Sequence, residues 1–449
     1  MIVLMESLTD RAKAAGVFLV RVTYCDNANL IRAKAIPVSG LPGAAQYGIG
    51  FSVAQQALPM MYDTVLPTSG LTPSGETWLV PDPSTFTPLP YSPASAIVLG
   101  DFQTVDRRPW EHCPRSCLKR AVAQAAAEDI EIQAVFEPEF YLLRPSGTGG
   151  FEPVDQTNFA MSSALDQSNA VLLEVVDALN AMGLDVQMIH PESGPGQFEV
   201  SIHHAEPVGA ADRQVLLREA VRGVAIRHGL AVSFAAKPFP DKVGSGCHLH
   251  LSLWRNGQNL LYDRSDVLHL TSEGYAWIGG LLAHIHGLCA LTLPSVNSYQ
   301  RLRPHYWAGV YACYGRDNRE AAVRVITPRR GPESMNVELK TVDGSANPYL
   351  ALAGAIAAGL DGLRKGLDPG EPVEGDPGLL SDDERTRRHI LPVPHSLERA
   401  LEALERDPTL LETLGPPLAR SYTAVRRGEW DALKDLPPAA QAQQHLLKY

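Results

Sequence analysis

Five glutamates and two histidines of this chain fall in four short segments whose residue types suit metal-assisted phosphate chemistry. The segments are Phe136-Glu137-Pro138-Glu139-Phe140, Glu192-Ser193-Gly194-Pro195-Gly196-Gln197-Phe198-Glu199, Gly244-Ser245-Gly246-Cys247-His248-Leu249-His250-Leu251-Ser252 and Val337-Glu338-Leu339-Lys340. Glu137, Glu139, Glu192, Glu199 and Glu338 offer hard oxygen donors, and His248 adds one imidazole. Such a set suits Mg2+ or Mn2+. It is large enough for two divalent cations side by side, an arrangement that serves phosphate chemistry before most other reactions. Each piece alone is ordinary. A Glu-x-Glu on a strand is usually a solvated face, His-x-His is more often not a metal site, and Gly-Pro-Gly is usually a turn. The four together, in this order, carry the reading.

Strands must position these groups. Residues i and i+2 of a strand share a face, so Glu137 points with Glu139, His248 with His250, and Glu338 with Lys340. Three strands that each present a polar pair can line a channel. Burying an unpaired glutamate there costs on the order of several kcal/mol unless a cation or donor compensates. The pattern predicts strands over 17–22, 31–37, 131–142, 184–190 and 248–254. Asn256-Gly257 predicts a hairpin turn leading into 259–262. Helices are expected over 114–127, 169–182 (stopped by Gly183), 212–228 (stopped by Gly229), 275–291 and 349–364. Residues 368–378 read as a solvent loop. Pro81, Pro83, Pro88, Pro90 and Pro93 mark an extended segment and a candidate boundary. The expected division is a small α+β unit over 1–107 and one large α+β catalytic domain over 108–449.

Composition excludes several classes. The chain of 449 residues is 45% hydrophobic and 20% charged, with net charge −11 and no basic stripe. Nucleic acid and anionic membranes are therefore poor partners. Six cysteines lie scattered without Cys-x-x-Cys spacing, as in a cytoplasmic protein with reduced, buried thiols. The apolar start before Glu6 is too short for a signal core, and the apolar tract 279–293, broken by His284 and His286, is too short to span a bilayer.

The motifs above, with Lys237-Pro238-Phe239, Asn297-Ser298-Tyr299-Gln300-Arg301-Leu302, Asn318-Arg319, Arg324 and Asn347-Pro348-Tyr349-Leu350, make a chain that resembles glutamine synthetase over nearly its whole length. The resemblance implies an N-terminal β-grasp domain, a C-terminal glutamine synthetase-type α/β catalytic domain, and a homo-oligomeric ring of two stacked hexamers with sites between neighbouring subunits. It implies ATP and glutamate as substrates and two or more Mg2+ or Mn2+ ions per site. Glu139, Glu192 and Glu199 would hold the metal beside the acyl substrate, and Glu137, His248 and Glu338 the metal on the nucleotide phosphates. His250 and Ser252 would lie near ATP, and Arg319 and Arg324 would meet its phosphates. Arg301 would pair with the glutamate carboxylate, with Gly244 giving backbone contact.

Three departures alter the expected substrate. Where ammonia-using members carry Gly-Phe-Asp-Gly-Ser-Ser, this chain has Gly50-Phe51-Ser52-Val53-Ala54. Where the family has a flap glutamate, an ungapped match gives Trp307. Its Glu-x-Arg becomes Glu338-Leu339-Lys340, and lysine does not replace arginine at a carboxylate or phosphate clamp. Two carboxylates that would hold and deprotonate ammonium are thus missing. The expected activity is an ATP-dependent ligation of the glutamate γ-carboxylate to an organic primary amine, Ser52 and Trp307 facing that amine and Lys340 the acid. An ordinary glutamine synthetase with a diverged flap and a non-catalytic glutamate- or nucleotide-binding relative stand as alternatives. No regulatory Tyr motif is found, so control by adenylylation is not expected.

Overall fold

The structure, a computed structural model, describes residues 2–147 and 149–449, with side chains from residue 8 onward. Its N-terminal strands are β1 (Leu19–Cys25), β2 (Ile31–Pro37), β3 (Ile49–Ser52), β4 (Glu76–Pro81), β5 (Thr87–Pro88) and β6 (Ser95–Gln103). They form a sheet of order β2-β1-β6-β4-β3, with β5 beside β6. β1 and β6 run parallel, the hallmark of a β-grasp-like sheet. Val20, Val22 and Tyr24 of β1 turn inward and meet Val98 and Phe102 of β6 and Leu41 in a separate core.

The Pro81–Pro93 run is not a boundary. β6 follows it and is the middle strand of the N-terminal sheet. Prolines lack the ladder donor; here Pro81 ends β4, Pro83 opens a 3-10 turn, Pro88 lies in the two-residue β5, and Pro90 and Pro93 lie in the turn before β6. The segment reads as a linker in sequence but is an edge connection within the sheet.

The catalytic strands are β7 (Glu131–Pro145), β8 (Phe151–Pro153), β9 (Val186–Pro191), β10 (Gln197–Ile202), β11 (Ala231–Ser233), β12 (Cys247–Arg255), β13 (Gln258–Asn259), β14 (Tyr311–Arg316), β15 (Ala321–Ile326), β16 (Asn336–Leu339) and β17 (Leu391–Pro392). Their order is β17-β14-β15-β16-β12-β7-β10-β9, with β8 and β11 on β7 and β13 on β12. Asn256 and Gly257 have φ of 52° and 75°, as a two-residue hairpin turn requires.

The helices Pro114–Ala126, Pro207–Arg227 and Pro348–Lys365 pack on one another and close the core behind β7. The helix expected at 212 begins five residues earlier. Pro207 starts it, and the Glu206 carboxylate accepts from Val208 N–H at 2.9 Å. The helix Ser272–Thr292 is long and apolar enough to cross a membrane, but it is largely buried in this core against Pro348–Lys365. The two cross backbone to backbone. A Cβ on Gly280 would lie 2.1 Å from Ala358 O, and one on Gly362 would lie 2.1 Å from Ala276 O. All six cysteines are buried free thiols.

Candidate active site

Register decides which side chains meet. In the antiparallel β7–β12 pair Glu137 lies opposite His248, and in β12–β16 His250 lies opposite Glu338. β15–β16 sets Arg324 opposite Glu338, and β7–β10 sets Glu139 opposite Glu199. Five neighbouring strands therefore carry one continuous polar row. The i, i+2 pairs anticipated from sequence all fall in it.

The row is closely knit. His250 Nε2 lies 3.1 Å from Glu137 Oε2, and its Nδ1 lies 2.8 Å from Asn336 Oδ1. His248 Nδ1 lies 3.2 Å from Glu338 Oε1. Glu338 accepts from Arg324 at 3.1 Å and from Lys340 at 3.3 Å. Gln197 donates to Glu139 and to the Gly244 carbonyl, both at 3.0 Å. Gly244 could carry no side chain, since a Cβ would lie 2.7 Å from both Ala236 O and Arg301 Cγ.

Charge is crowded here. Burial, then Glu192, pushes the Glu139 carboxyl up to about 7. Burial and the neighbouring Glu137, Glu139 and Glu192 push Glu199 well above the usual carboxylate range. Glu338 resists burial because Lys340, His248, His250 and Arg324 surround it, and it stays well below that range. Burial alone would neutralise His250, but Glu137 raises it to about 9. Carboxylates that repel one another in a buried site are those a cation would relieve. Three groups have ligand atoms within 4.8 Å of one another: Glu137, His250 and Glu338; Glu137, Glu199 and His248; and His190, Glu192 and Glu199. The donor set thus fits divalent cations.

His190 was read from sequence only as the end of a strand. In β9 it lies opposite Glu199, and its Nε2 is 3.0 Å from Glu192 Oε1. The signal available was its place two residues before Glu192.

Two cavities meet at the row. One of about 350 Å3 is lined by Glu139, Glu192, Gly244, Arg301, Trp307 and Lys340. The other, about 490 Å3, is lined by Gln133, His203, Ser252, Arg330 and Asn336. Glu137 and His250 border both. Arg319 and Arg324 line the first and a further cleft with Arg329 and Arg330. Buried Arg301 Nη1 and Arg324 Nε find no partner among the described residues.

Trp307 is 46% exposed on the wall of the smaller cavity. Its φ is 55°, and its N–H donates to the buried Glu320 carboxylate at 2.8 Å. Its ring meets Phe159 edge-on at 5.8 Å, and the Arg319 guanidinium lies 5.8 Å from its centroid. Phe159, Arg303 and Glu320 had no sequence signal. Ser52 stands apart: exposed at the end of β3 opposite Glu76, it lines none of these cavities within one chain.

Residues 111–445 match the catalytic domain of glutamine synthetase, and residues 5–110 match the glutamine synthetase N-terminal domain. A γ-glutamylpolyamine synthetase from Streptomyces coelicolor is 38% identical, covering 99% of this chain and 96% of its own. A type-1 glutamine synthetase from Dictyostelium discoideum is 32% identical, covering 95% and 89%. A solved GmaS–ADP complex superposes with a TM-score of 0.84 at 32% identity, covering 96% and 97%.

Proposed function

The chain belongs to the glutamine synthetase family, whose members are ATP-dependent ligases, and on that premise we propose that it joins the γ-carboxylate of glutamate to an organic primary amine through γ-glutamyl phosphate. The observation that carries this reading is the wall of the smaller cavity. Its carboxylates among the described residues, Glu137, Glu139, Glu192, Glu199 and Glu338, are all candidate metal ligands, and Trp307 occupies the wall beside Phe159. No spare carboxylate in that lining remains to attract ammonium, a compact cation that gains most from such a charge. An amine with an organic substituent gains instead from the indole. The γ-glutamylpolyamine synthetase relative supports an organic amine, rather than ammonium, as the acceptor.

The chemistry follows from the leaving group. A carboxylate acylates poorly because oxide would have to leave. Transfer of the ATP γ-phosphoryl group to the γ-carboxylate oxygen releases ADP and gives an acyl phosphate. The amine nitrogen then attacks the acyl carbon, the C–O bond to phosphate breaks, and the nitrogen gives its extra proton to the departing phosphate. In this reading Arg319 and Arg324 meet the phosphates as permanently charged donors. Arg301, with its unpartnered Nη1, holds the glutamate carboxylate, assisted by the Gly244 backbone and Lys340. His250 and Ser252 border the nucleotide. Glu139, Glu192 and Glu199 would hold one divalent ion, and Glu137, His248 and Glu338 the other. Bound Mg2+ or Mn2+ would neutralise charge on the transferring phosphoryl oxygens. The reading extends to a cytoplasmic ring of two hexamers, with the Ser52 loop reaching a neighbour's site, and to a domain boundary near residue 107.

The test is phosphate release with glutamate, ATP and Mg2+ across an amine panel. At least one primary amine should exceed ammonium in kcat/KM. Efficient use of ammonium with no turnover of amines would leave an ordinary glutamine synthetase. No turnover with any acceptor would leave a binding protein.

A further inference from the structure

We infer that the acceptor site selects a monoamine with an apolar substituent and rejects amines that carry a second positive charge. The inference rests on the amine-ligase reading above and names the substrate class of that site.

Two observations point to it. The first is where exposed apolar side chains collect. Phe159 and Met188 are each 50% exposed, Tyr306 is 56% exposed and Trp307 46%. All four line the smaller cavity, whose floor is otherwise charged. They come from three segments, and Phe159 and Trp307 meet edge-on at 5.8 Å. Large apolar groups kept in contact with water at the mouth of a reaction cavity are a binding feature, because they gain by covering a ligand of the same character.

The second observation is the sign of the surrounding charge. Lys237, Arg303 and Arg319 line the same cavity, and the Arg319 guanidinium lies 5.8 Å from the Trp307 ring centroid. Among the described residues, the carboxylates in the lining are the same five candidate metal ligands. A further acid, Glu320, accepts from the Trp307 backbone N–H at 2.8 Å. It is buried and does not line the cavity. A reactive nitrogen placed at the row therefore extends its substituent over aromatic rings flanked by arginines. A methyl terminus is accepted there. An ammonium terminus meets like charge with no carboxylate to offset it.

The experiment compares heptylamine with 1,6-diaminohexane, which have equal length and differ only in a terminal methyl or ammonium. Steady-state phosphate release on the purified full-length protein gives kcat/KM for each. Heptylamine should exceed the diamine about tenfold or more. Arg303→Glu, a change at an exposed position, should narrow that ratio at least fivefold. Phe159→Ala should raise KM for heptylamine more than it lowers kcat. Because the ratio is internal to each sample, partial unfolding lowers both rates and leaves it unaltered.

A diamine turned over as well as or better than heptylamine, with both exceeding ammonium, would overturn this inference and leave the amine-ligase reading standing. Turnover of ammonium alone would remove the reading itself. If Phe159→Ala leaves amine KM unaltered and lowers the particle mass in light scattering, the apolar patch is a subunit contact and the inference fails.

Discussion

At the scale of residues, the site depends on a few carboxylates crowded at the meeting of its strands. Glu139→Ala and Glu338→Ala should each reduce ATP turnover by at least about a hundredfold, since even groups that only orient a metal ligand cost ten- to a hundredfold. Glu338 is also the residue on which His248, Arg324 and Lys340 converge. Chelation by EDTA should abolish turnover and added Mg2+ restore it. Near wild-type rates in either variant would remove the two-metal assignment. In the proposed reading two other positions set the choice of nucleophile. Ser52→Asp together with Trp307→Glu should return charge to the acceptor site, raising kcat/KM for ammonium and weakening bulky amines. The wild-type protein should turn over alkylamines faster as pH rises, because only the neutral amine attacks. If the wild type already uses ammonium efficiently and the double change only damages it, the amine acceptor is wrong.

At the scale of elements, His284 ties three helices together. It lies on Ser272–Thr292, with Nδ1 2.7 Å from Asp407 and Nε2 3.0 Å from Asp361 of Pro348–Lys365. The hydrogen bond to Asp407 raises its pKa; burial opposes this and Asp361 adds to it. A raised histidine pKa favours the folded state when protonated. Its contribution is therefore complete below the unfolded value near 6.5 and is lost as pH rises through the folded value. His284→Ala should cost about 2 kcal/mol below pH 6, by the usual strength of hydrogen bonds to charged groups. It should cost less at alkaline pH. Urea unfolding at several pH values checks this, and a loss independent of pH would show that packing alone is involved. The same helix pair depends on Gly280 and Gly362, whose missing Cβ atoms let the backbones touch.

At the scale of the whole molecule, one chain does not bring all the proposed site residues together. Ser52, expected to face an acceptor, is exposed at the rim of the N-terminal sheet and lines none of the site cavities. A neighbouring copy would have to bring it there. The active protein should therefore be a large ring in solution. Light scattering that gave a single 48.6 kDa species with full activity would refute the shared site.

The sequence by itself determined the polar pairs, the hairpin at Asn256-Gly257 and most helix ends. Strand alternation, turn conformation and glycine stops are local properties, set by a few neighbouring residues. Helix starts were less legible: Pro207 and Glu206 begin a helix that apolar periodicity shows only from 212. The tertiary structure alone decided register. Opposing Glu137 to His248 and His250 to Glu338 requires strands that lie about a hundred residues or nearly so apart in the chain. Nothing local encodes that pairing. For the same reason Phe159 could not be found in advance, because it acquires its partner Trp307 from a segment distant in sequence. The Pro81–Pro93 run was misread because the parallel pairing of β1 with β6 reaches across it. Short-range physics writes which face a residue occupies; which residue it faces is settled only when the whole sheet closes.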